Sequence, residues 1–455
     1  MTARNFGRVL LCALVIWSMT IFPGRAAEPP AAHLDLKEAL RLAWKANPNL
    51  KISRLQALIA GEQIVRARSG LLPQINSQTS QTIYDDPLKF KIGVSAPGMP
   101  GGVSFAQTNR NFWGNQTTIN QLLFDFWGTP SKYQAAIMGH KASLLDTAQT
   151  RDNVFLTVAQ GYFKTLRAKK LVEVAQQTVF DLKQHLKIAQ DQYQFGVVTF
   201  NDVLQAKVSL ADAEQNLIVA QTDYIDTRSA LNKVLMLPVT APTVLKDENV
   251  VVKPWGLGQA TDAALKQRSD LKASVDRIRQ QEKTVTETRA QYFPKFSVQG
   301  GYFYQVNNAT VNDSQWSLIF AMNWNIFSGL DTKAAVSQAK LKVEQLQEQH
   351  KDLNEQVQLD VQNAHLKVKE TSDRIKTTET AVTQGEENLR LNEERYKESV
   401  GTATDVIDAE TLLTRTRVNY WAAVYDHQMA KSQILWAVGS ITELLPQEQP
   451  QPHVP

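Results

Sequence analysis

Residues 294–333 alternate apolar and polar side chains with a regularity that few folds accommodate. Phe296, Val298, Gly300, Tyr302, Tyr304 and Val306 take every second position, with Ser297, Gln299, Gly301 and Gln305 between them. After a polar break at 307–314, Trp316, Leu318, Phe320, Met322, Trp324 and Ile326 alternate with Ser317, Ala321, Asn323 and Asn325. A period of two predicts a pair of strands, about 295–306 and 315–327, with one apolar and one mostly polar face. Each arm is as long as a membrane-crossing strand, and the apolar face is rich in aromatics, as lipid-facing barrel strands are. Tyr302, Tyr304, Trp316 and Trp324 are therefore candidates for a membrane-interface belt. The competing reading is the core of a soluble hairpin.

The flanking sequence is helical, and some of it is far too long for a compact domain. After Pro130 in the opening turn, residues 129–195 are interrupted only by Gly139 and Gly161. As one helix those residues span about 100 Å, a length that suits a coiled-coil assembly. Residues 201–237 read as a helix returning from a turn at Gly196. In the second half, Val336, Ala339, Val343, Leu346, His350, Leu353 and Val357 follow alternating spacings of three and four. That is a coiled-coil seam with His350 as its one polar register residue. Two weaker strands are expected at about 74–84 and 115–126, with a long loop at 85–114. Residues 238–258 read as a connector, and the Pro/Gln-rich 446–455 as a disordered tail.

The start of the chain carries an address. Arg4 and Arg8 precede the apolar run 9–22, and Gly24-Arg25-Ala26-Ala27 follows it. A basic segment, a short apolar stretch and small residues make a cleaved secretory signal peptide over 1–27. Its removal takes away three arginines and no acid, lowering the formal charge from +4 to about +1. The basic balance is thus no argument for nucleic acid. Cys12, the single cysteine, lies inside the apolar run, so the mature chain has neither disulfides nor thiol chemistry.

The chain also repeats itself. Asn49-Leu50-Lys51 is echoed by Asp270-Leu271-Lys272, and Leu72-Pro73-x-Ile75 by Phe293-Pro294-x-Phe296, both 221 positions on. Phe126-x-Gly128-x-x-x-Lys132 matches Phe327-x-Gly329-x-x-x-Lys333 at an offset of 201. Tyr193 with Thr199-x-x-Asp202-Val203 matches Tyr396 with Thr402-x-x-Asp405-Val406 at 203. Four matches in one order indicate an internal duplication, over 28–237 and 259–445. Each half reads helix, strand, strand, long helix, turn, long helix.

The Pro-terminated helix-to-strand junctions, the Phe-x-Gly strand-to-helix junctions and the paired Tyr…Thr-x-x-Asp-Val turns resemble the TolC-like outer-membrane efflux family. The resemblance covers nearly the whole mature chain and is closest in feel over 395–439. It implies a mainly α fold with membrane β-strands: a homotrimer whose long antiparallel coiled-coil helices form a periplasmic α-barrel with a belt of extra structure. That α-barrel joins a shared twelve-stranded outer-membrane β-barrel, four strands per chain. It further implies an exit duct of a tripartite efflux or type I secretion system. The implied partners are a periplasmic adaptor (membrane fusion) protein and an inner-membrane transporter of RND, ABC or MFS type. The alternative of a different class is a trimeric coiled-coil structural or adhesive surface protein with a small barrel anchor, which has no need of the duplication.

Asp405 and Asp408 lie three apart at a helix start and share a face. The resemblance makes them an acidic, cation-selective ring at the pore mouth, where like charges from three chains would raise their pKa values. Helix capping competes, because Thr402-x-x-Asp405 and Thr199-x-x-Asp202 both fit a capping box. Tyr193 and Tyr396 are gate candidates or ordinary coiled-coil packing. The second turn carries Ser399 and then Gly401 where the first has Gly196, so a difference in turn shape is expected. No cofactor and no enzymatic chemistry are indicated. The seven histidines show no metal-ligand spacing, and neither a phosphate loop nor a Gly-x-Ser-x-Gly motif is present.

Overall fold

The computed structural model describes residues 33–93, 103–307 and 311–445. The signal peptide at 1–27 and the tail at 446–455 lie outside them. In chain order the first half comprises β1 (His33–Leu34), α1 (Leu36–Ala46), α2 (Pro48–Ser69), β2 (Gln74–Ile83), β3 (Lys89–Ile92), β4 (Val103–Ala106), β5 (Asn111–Phe124), α3 (Gly128–Gln194), α4 (Phe200–Leu235) and β6 (Val244–Leu245). The second half comprises α5 (Leu257–Gln267), α6 (Ser269–Arg289), β7 (Lys295–Val306), β8 (Ser314–Asn323), α7 (Asp331–Lys397) and α8 (Ala403–Val438).

The duplication is visible in lengths alone. α3 and α7 each have 67 residues, α4 and α8 each have 36, and α1 and α5 each have 11. Both long helix pairs begin and end 203 positions apart. The Phe-x-Gly match at 201 therefore needs correcting. The residues that correspond in space are Phe126-Trp127 and Gly329-Leu330, each a consecutive pair with positive φ ahead of its helix. The junction conserves a left-handed backbone bend, and the glycine occupies a different step of it in each half.

Local capping sets the short helices. Asp35 Oδ1 accepts from the Glu38 N–H at 2.6 Å and starts α1. Asn47 ends α1 through its N–H to the Ala43 carbonyl, and its side chain caps α2 by accepting from the Asn49 N–H at 3.0 Å. Pro48 follows at the first helical position, where a missing N–H costs nothing.

β2, β5, β7 and β8 form one antiparallel sheet in that order. β5 starts at Asn111, earlier than its sequence pattern suggests, because Asn111, Phe112, Trp113 and Gly114 complete the ladder to Ile83, Thr82, Gln81 and Ser80. β8 stops at Asn323, short of the expected 327, so Trp324 and Ile326 lie beyond it. Nor is 85–114 a plain loop: β3 and β4 form a separate antiparallel hairpin there, with Phe90 opposite Phe105.

The compact core sits halfway along the long helices. Phe155, Tyr162 and Phe163 of α3 pack with Leu40 of α1, Leu231 and Leu235 of α4 and Tyr425 of α8. A second cluster joins Ala260 and Ala264 of α5 to Val357 and Val361 of α7 and Ile434 of α8. β1 and β6 pair in parallel beside the first cluster, so the expected lead-in and connector both contribute a strand. Tyr162 is fully buried, and its hydroxyl donates toward the Leu34 and Lys246 carbonyls that flank this pairing. A belt of small elements thus wraps the middle of the helices. Among the described residues no helix is long and apolar enough to cross a membrane.

Candidate functional site

Two regions carry the sequence-predicted site residues: the four-stranded sheet and the helical turns. In the sheet, register puts like against like. Phe296 faces Met322, Val298 faces Phe320, Gly300 faces Leu318 and Tyr302 faces Trp316. Side chains at directly opposed positions share a face, so the apolar residues of both strands form one surface. Trp316, Leu318, Phe320 and Met322 are all strongly exposed. The other face carries Gln299, Gly301, Gln315 and Ser317.

Aromatic residues gather in two rows. At one end the Tyr302 and Trp316 rings lie 4.7 Å apart and the Trp113 and Tyr304 rings 5.4 Å apart. At the other, Phe124, Phe126 and Phe293 form a chain of ring contacts at 4.8 and 4.6 Å. Trp324 stands there too, its Nε1 donating to the Tyr292 carbonyl at 3.1 Å. From Trp316 to Trp324 the extended chain covers about 27 Å, close to the ~25 Å apolar band of outer-membrane barrels between their aromatic girdles. Of the four belt candidates, Tyr302, Tyr304 and Trp316 occupy one row and Trp324 the other.

At the opposite end of the molecule α3 turns into α4 and α7 into α8. In both turns the chain closes with the same pair of bonds. Gly196 N–H donates to the Tyr193 carbonyl at 3.0 Å and Val197 N–H to the Gln192 carbonyl at 2.9 Å; Ser399 N–H donates to Tyr396 at 3.1 Å and Val400 N–H to Arg395 at 2.9 Å. The expected difference in turn shape is absent here. Ser399 takes the left-handed conformation itself, at φ 60° against 75° for Gly196. Gly401 stands where the first turn has Val198 and makes a further contact. Its N–H also reaches the Arg395 carbonyl, and a side-chain Cβ there would press on Arg395 and the Tyr396 nitrogen at 3.3 Å.

Both Asp-Thr pairs are helix caps. Asp405 Oδ2 accepts from the Thr402 N–H at 2.9 Å while the Asp405 N–H donates to Thr402 Oγ1 at 3.2 Å. Asp202 Oδ2 likewise accepts from the Thr199 N–H at 2.9 Å and from its hydroxyl at 2.7 Å. The Thr402 N–H holds the Asp405 carboxyl below the ordinary carboxylate range. Asp408 is exposed, on the same outward side as Asp405, while Val406 and Ala409 face inward. The two tyrosines diverge. Tyr193 is half exposed against Phe200, whereas Tyr396 is buried against the His185 ring at a centroid distance of 5.1 Å.

Sequence reasoning passed over Glu410. It is 2% exposed, on the inward face with Val406 and Leu413, and burial with the Asp181 carboxylate pushes its pKa up to about 7. The duplication held the signal: its counterpart 203 positions earlier is the exposed Lys207. His350 fares as expected of a register residue, bridging Ser274 Oγ of α6 at 2.6 Å and Asn354 of its own helix at 3.2 Å. Among the described residues no group of histidines and carboxylates is arranged to hold a metal.

A duplicated chain with an aromatic-rimmed strand sheet at one end and capped helical turns at the other has known relatives. The profile of the outer membrane efflux protein family matches residues 39–235 and 260–440. The chain belongs to that family. It is 21% identical to the outer membrane protein TolC of Vibrio cholerae over 90% of this chain and 91% of that one. It is 23% identical to the cation efflux system protein CusC of Escherichia coli O157:H7 over 89% and 86% of the two chains. Among solved structures, the Campylobacter jejuni CmeC outer membrane channel superposes with a TM-score of 0.78 at 18% identity, covering 91% of this chain and 87% of its own.

As an outer membrane efflux protein, the chain is an exit duct of an efflux system. Membership brings the family architecture, a helical barrel joined to an outer-membrane β-barrel, to which this sheet supplies the strands. The exposed apolar face of β7 and β8 has the character of the lipid-facing side of such a barrel.

Proposed function

We propose that three copies of this chain assemble into one passive duct, conducting substrates from a periplasmic adaptor and an inner-membrane transporter to the exterior. One observation carries the trimer. Among the described residues the sheet ends in β2 on one side and β8 on the other, each with an unpaired edge. Unpaired backbone groups cannot be left in hydrocarbon, so the edges must pair with something. Pairing β8 of one copy with β2 of the next removes every edge, and three copies give a twelve-stranded barrel. The long helices then continue the barrel inward as a coiled-coil tunnel. The system served is a tripartite efflux or type I secretion assembly. Its transporter, of RND, ABC or MFS type, supplies the energy. The signal peptide at 1–27 directs export and is cleaved from the mature chain.

At the far end of the tunnel the capped turns form the mouth, where Asp405 and Asp408 place carboxylates on the exposed side of α8. Three copies make an acidic ring that favours cations. Single-channel recording of the purified protein in planar bilayers tests the duct, alongside a mass measurement of the assembly. A trimer with a small, cation-preferring conductance is the expected result. A trimer without a pore would overturn the duct and favour a structural coiled-coil role.

A further inference from the structure

The groups nearest the mouth include an unusual concentration of buried polar atoms without partners. Among the described residues six such side-chain atoms occur, and four of them are His185 Nε2, Gln192 Oε1, Tyr396 Oη and Glu410 Oε2. They cluster where α3, α7 and α8 meet behind the turns. A cavity of about 300 Å³ there is lined by Asp181, His185 and Ile188 of α3 and by Glu393, Tyr396 and Lys397 of α7. A native structure rarely leaves one such atom unsatisfied, because each costs its full desolvation.

We propose that Glu410 is a proton-operated latch on the seam between α3 and α8, letting the two helices pack when protonated and loosening them when ionised. Its consequence for opening the mouth rests on the duct reading above; the latch itself does not. The geometry is direct. Glu410 Oε1 accepts from the Thr414 hydroxyl at 3.3 Å, and Thr414 meets Thr178 of α3 at 2.7 Å, so the carboxyl ends a hydrogen-bond chain that crosses the seam. Its second oxygen faces no donor. A carboxylic acid tolerates that position and a carboxylate does not.

The surrounding charges favour the acid form. From α3, Asp181 repels the ionised carboxyl and is itself pushed up by burial. From α7, Glu393 adds to the repulsion. Arg417 of α8 opposes it but is engaged with Glu386 of α7 at 3.1 Å. α4 contributes Asp202, which acts on Tyr396. His185 carries the opposite dependence, since burial lowers its pKa and favours the neutral ring.

The signs then follow. Glu410 is raised from 4.5 to about 7, so its contribution to the packed seam is complete at low pH and disappears as pH rises through about 7. His185 supports packing while neutral and withdraws that support as pH falls below its lowered value. The two dependences oppose one another, so packing is favoured where Glu410 is protonated and His185 is neutral. The Glu410 contribution to the ratio of packed to loosened seam falls about tenfold between pH 6 and pH 8.

Paired spin labels measure the seam in the assembled protein. Lys187 on α3 and Arg415 on α8 are both exposed, and Lys187→Cys/Arg415→Cys in a Cys12→Ser background gives one labelled pair per chain. The expected result is a narrow distance distribution at pH 6 that gains a longer, broader population at pH 8. Glu410→Gln holds the narrow distribution at both values, and His185→Gln keeps or enlarges the wild-type shift. A wild-type distribution unchanged between pH 6 and pH 8 overturns the latch even if Glu410→Gln fails to assemble. A shift that survives Glu410→Gln, or is abolished by His185→Gln, overturns it as well. A pH-sensitive seam in a protein that forms no pore sinks the duct and leaves the latch standing.

Discussion

Ser399 sits in the same left-handed backbone conformation as Gly196, 203 positions before it, with φ of 60° and 75°. A β-carbon in that region meets the following carbonyl, a penalty glycine escapes. The second turn therefore carries a strain the first avoids. Ser399→Gly should stabilise the protein by about 1 kcal/mol, and Gly196→Ser should destabilise it by a similar amount. Nothing lies within 4 Å of a Cβ built on Gly196, so the loss at that site is purely conformational. Thermal unfolding of the two variants side by side checks the opposite signs.

Asp405 and Asp408 can be separated by what each is bonded to. Asp405 is half of a reciprocal cap, so Asp405→Ala alters the helix start and the charge together. Asp408→Asn is expected to lower cation preference with no change in thermal stability, because α8 does not use it as a cap. Thr402→Ala is expected to cost about 1 kcal/mol of stability while leaving selectivity intact. The cap also has a pH sign. With the Asp405 pKa lowered, its stabilisation is present above about pH 4 and lost as pH falls through the depressed value. Selectivity and melting temperature measured on the same three variants decide the matter.

The two faces of the sheet should respond very differently to one charge. Phe320 lies near the middle of the apolar face opposite Val298, and Gln299 lies on the other face. Phe320→Lys should cost about 2–4 kcal/mol by placing an ammonium in hydrocarbon, whereas Gln299→Lys should be tolerated. The yield of folded protein in outer-membrane fractions reads the contrast.

Tyr162 ties the belt to the helices through its hydroxyl, which is enclosed by the Leu34 and Lys246 carbonyls. Tyr162→Phe leaves the ring packing against Phe163 and the Leu34 carbonyl still accepting from the Lys246 N–H, but strips the Lys246 carbonyl of its hydroxyl donor, for an expected loss of about 1–3 kcal/mol. Denaturation of the variant, with conductance unchanged, is the expected pair of results.

Periodicity made most of the fold legible. Alternation fixed β7 to the residue, since every second side chain between Phe296 and Val306 had to face one way. Uninterrupted helix-forming sequence placed α3 to within a residue at both ends. Where periodicity was lacking, the reading lost detail. Lys89–Ile92 and Val103–Ala106 are only four residues each, too short for alternation to register, and their pairing depends on a loop bringing them together. The junction offset of 201 arose because glycine was matched to glycine, while the backbone repeats its bend at 203 with Phe126-Trp127 in the place of Gly329-Leu330.

The sequence by itself determined the duplication, the strand alternation and the capping boxes, because each depends on residues within a few positions of one another or on identity between the halves. Only the tertiary structure decided which side chains meet across the helices. Tyr193 and Tyr396 are equivalent in the repeat, yet one faces outward and the other is buried on His185. Glu410 reads as an ordinary acid on a charged helix until α3 packs over it and closes it off from water. Burial is a property of the neighbours a residue acquires, and those neighbours come from chain more than two hundred residues away.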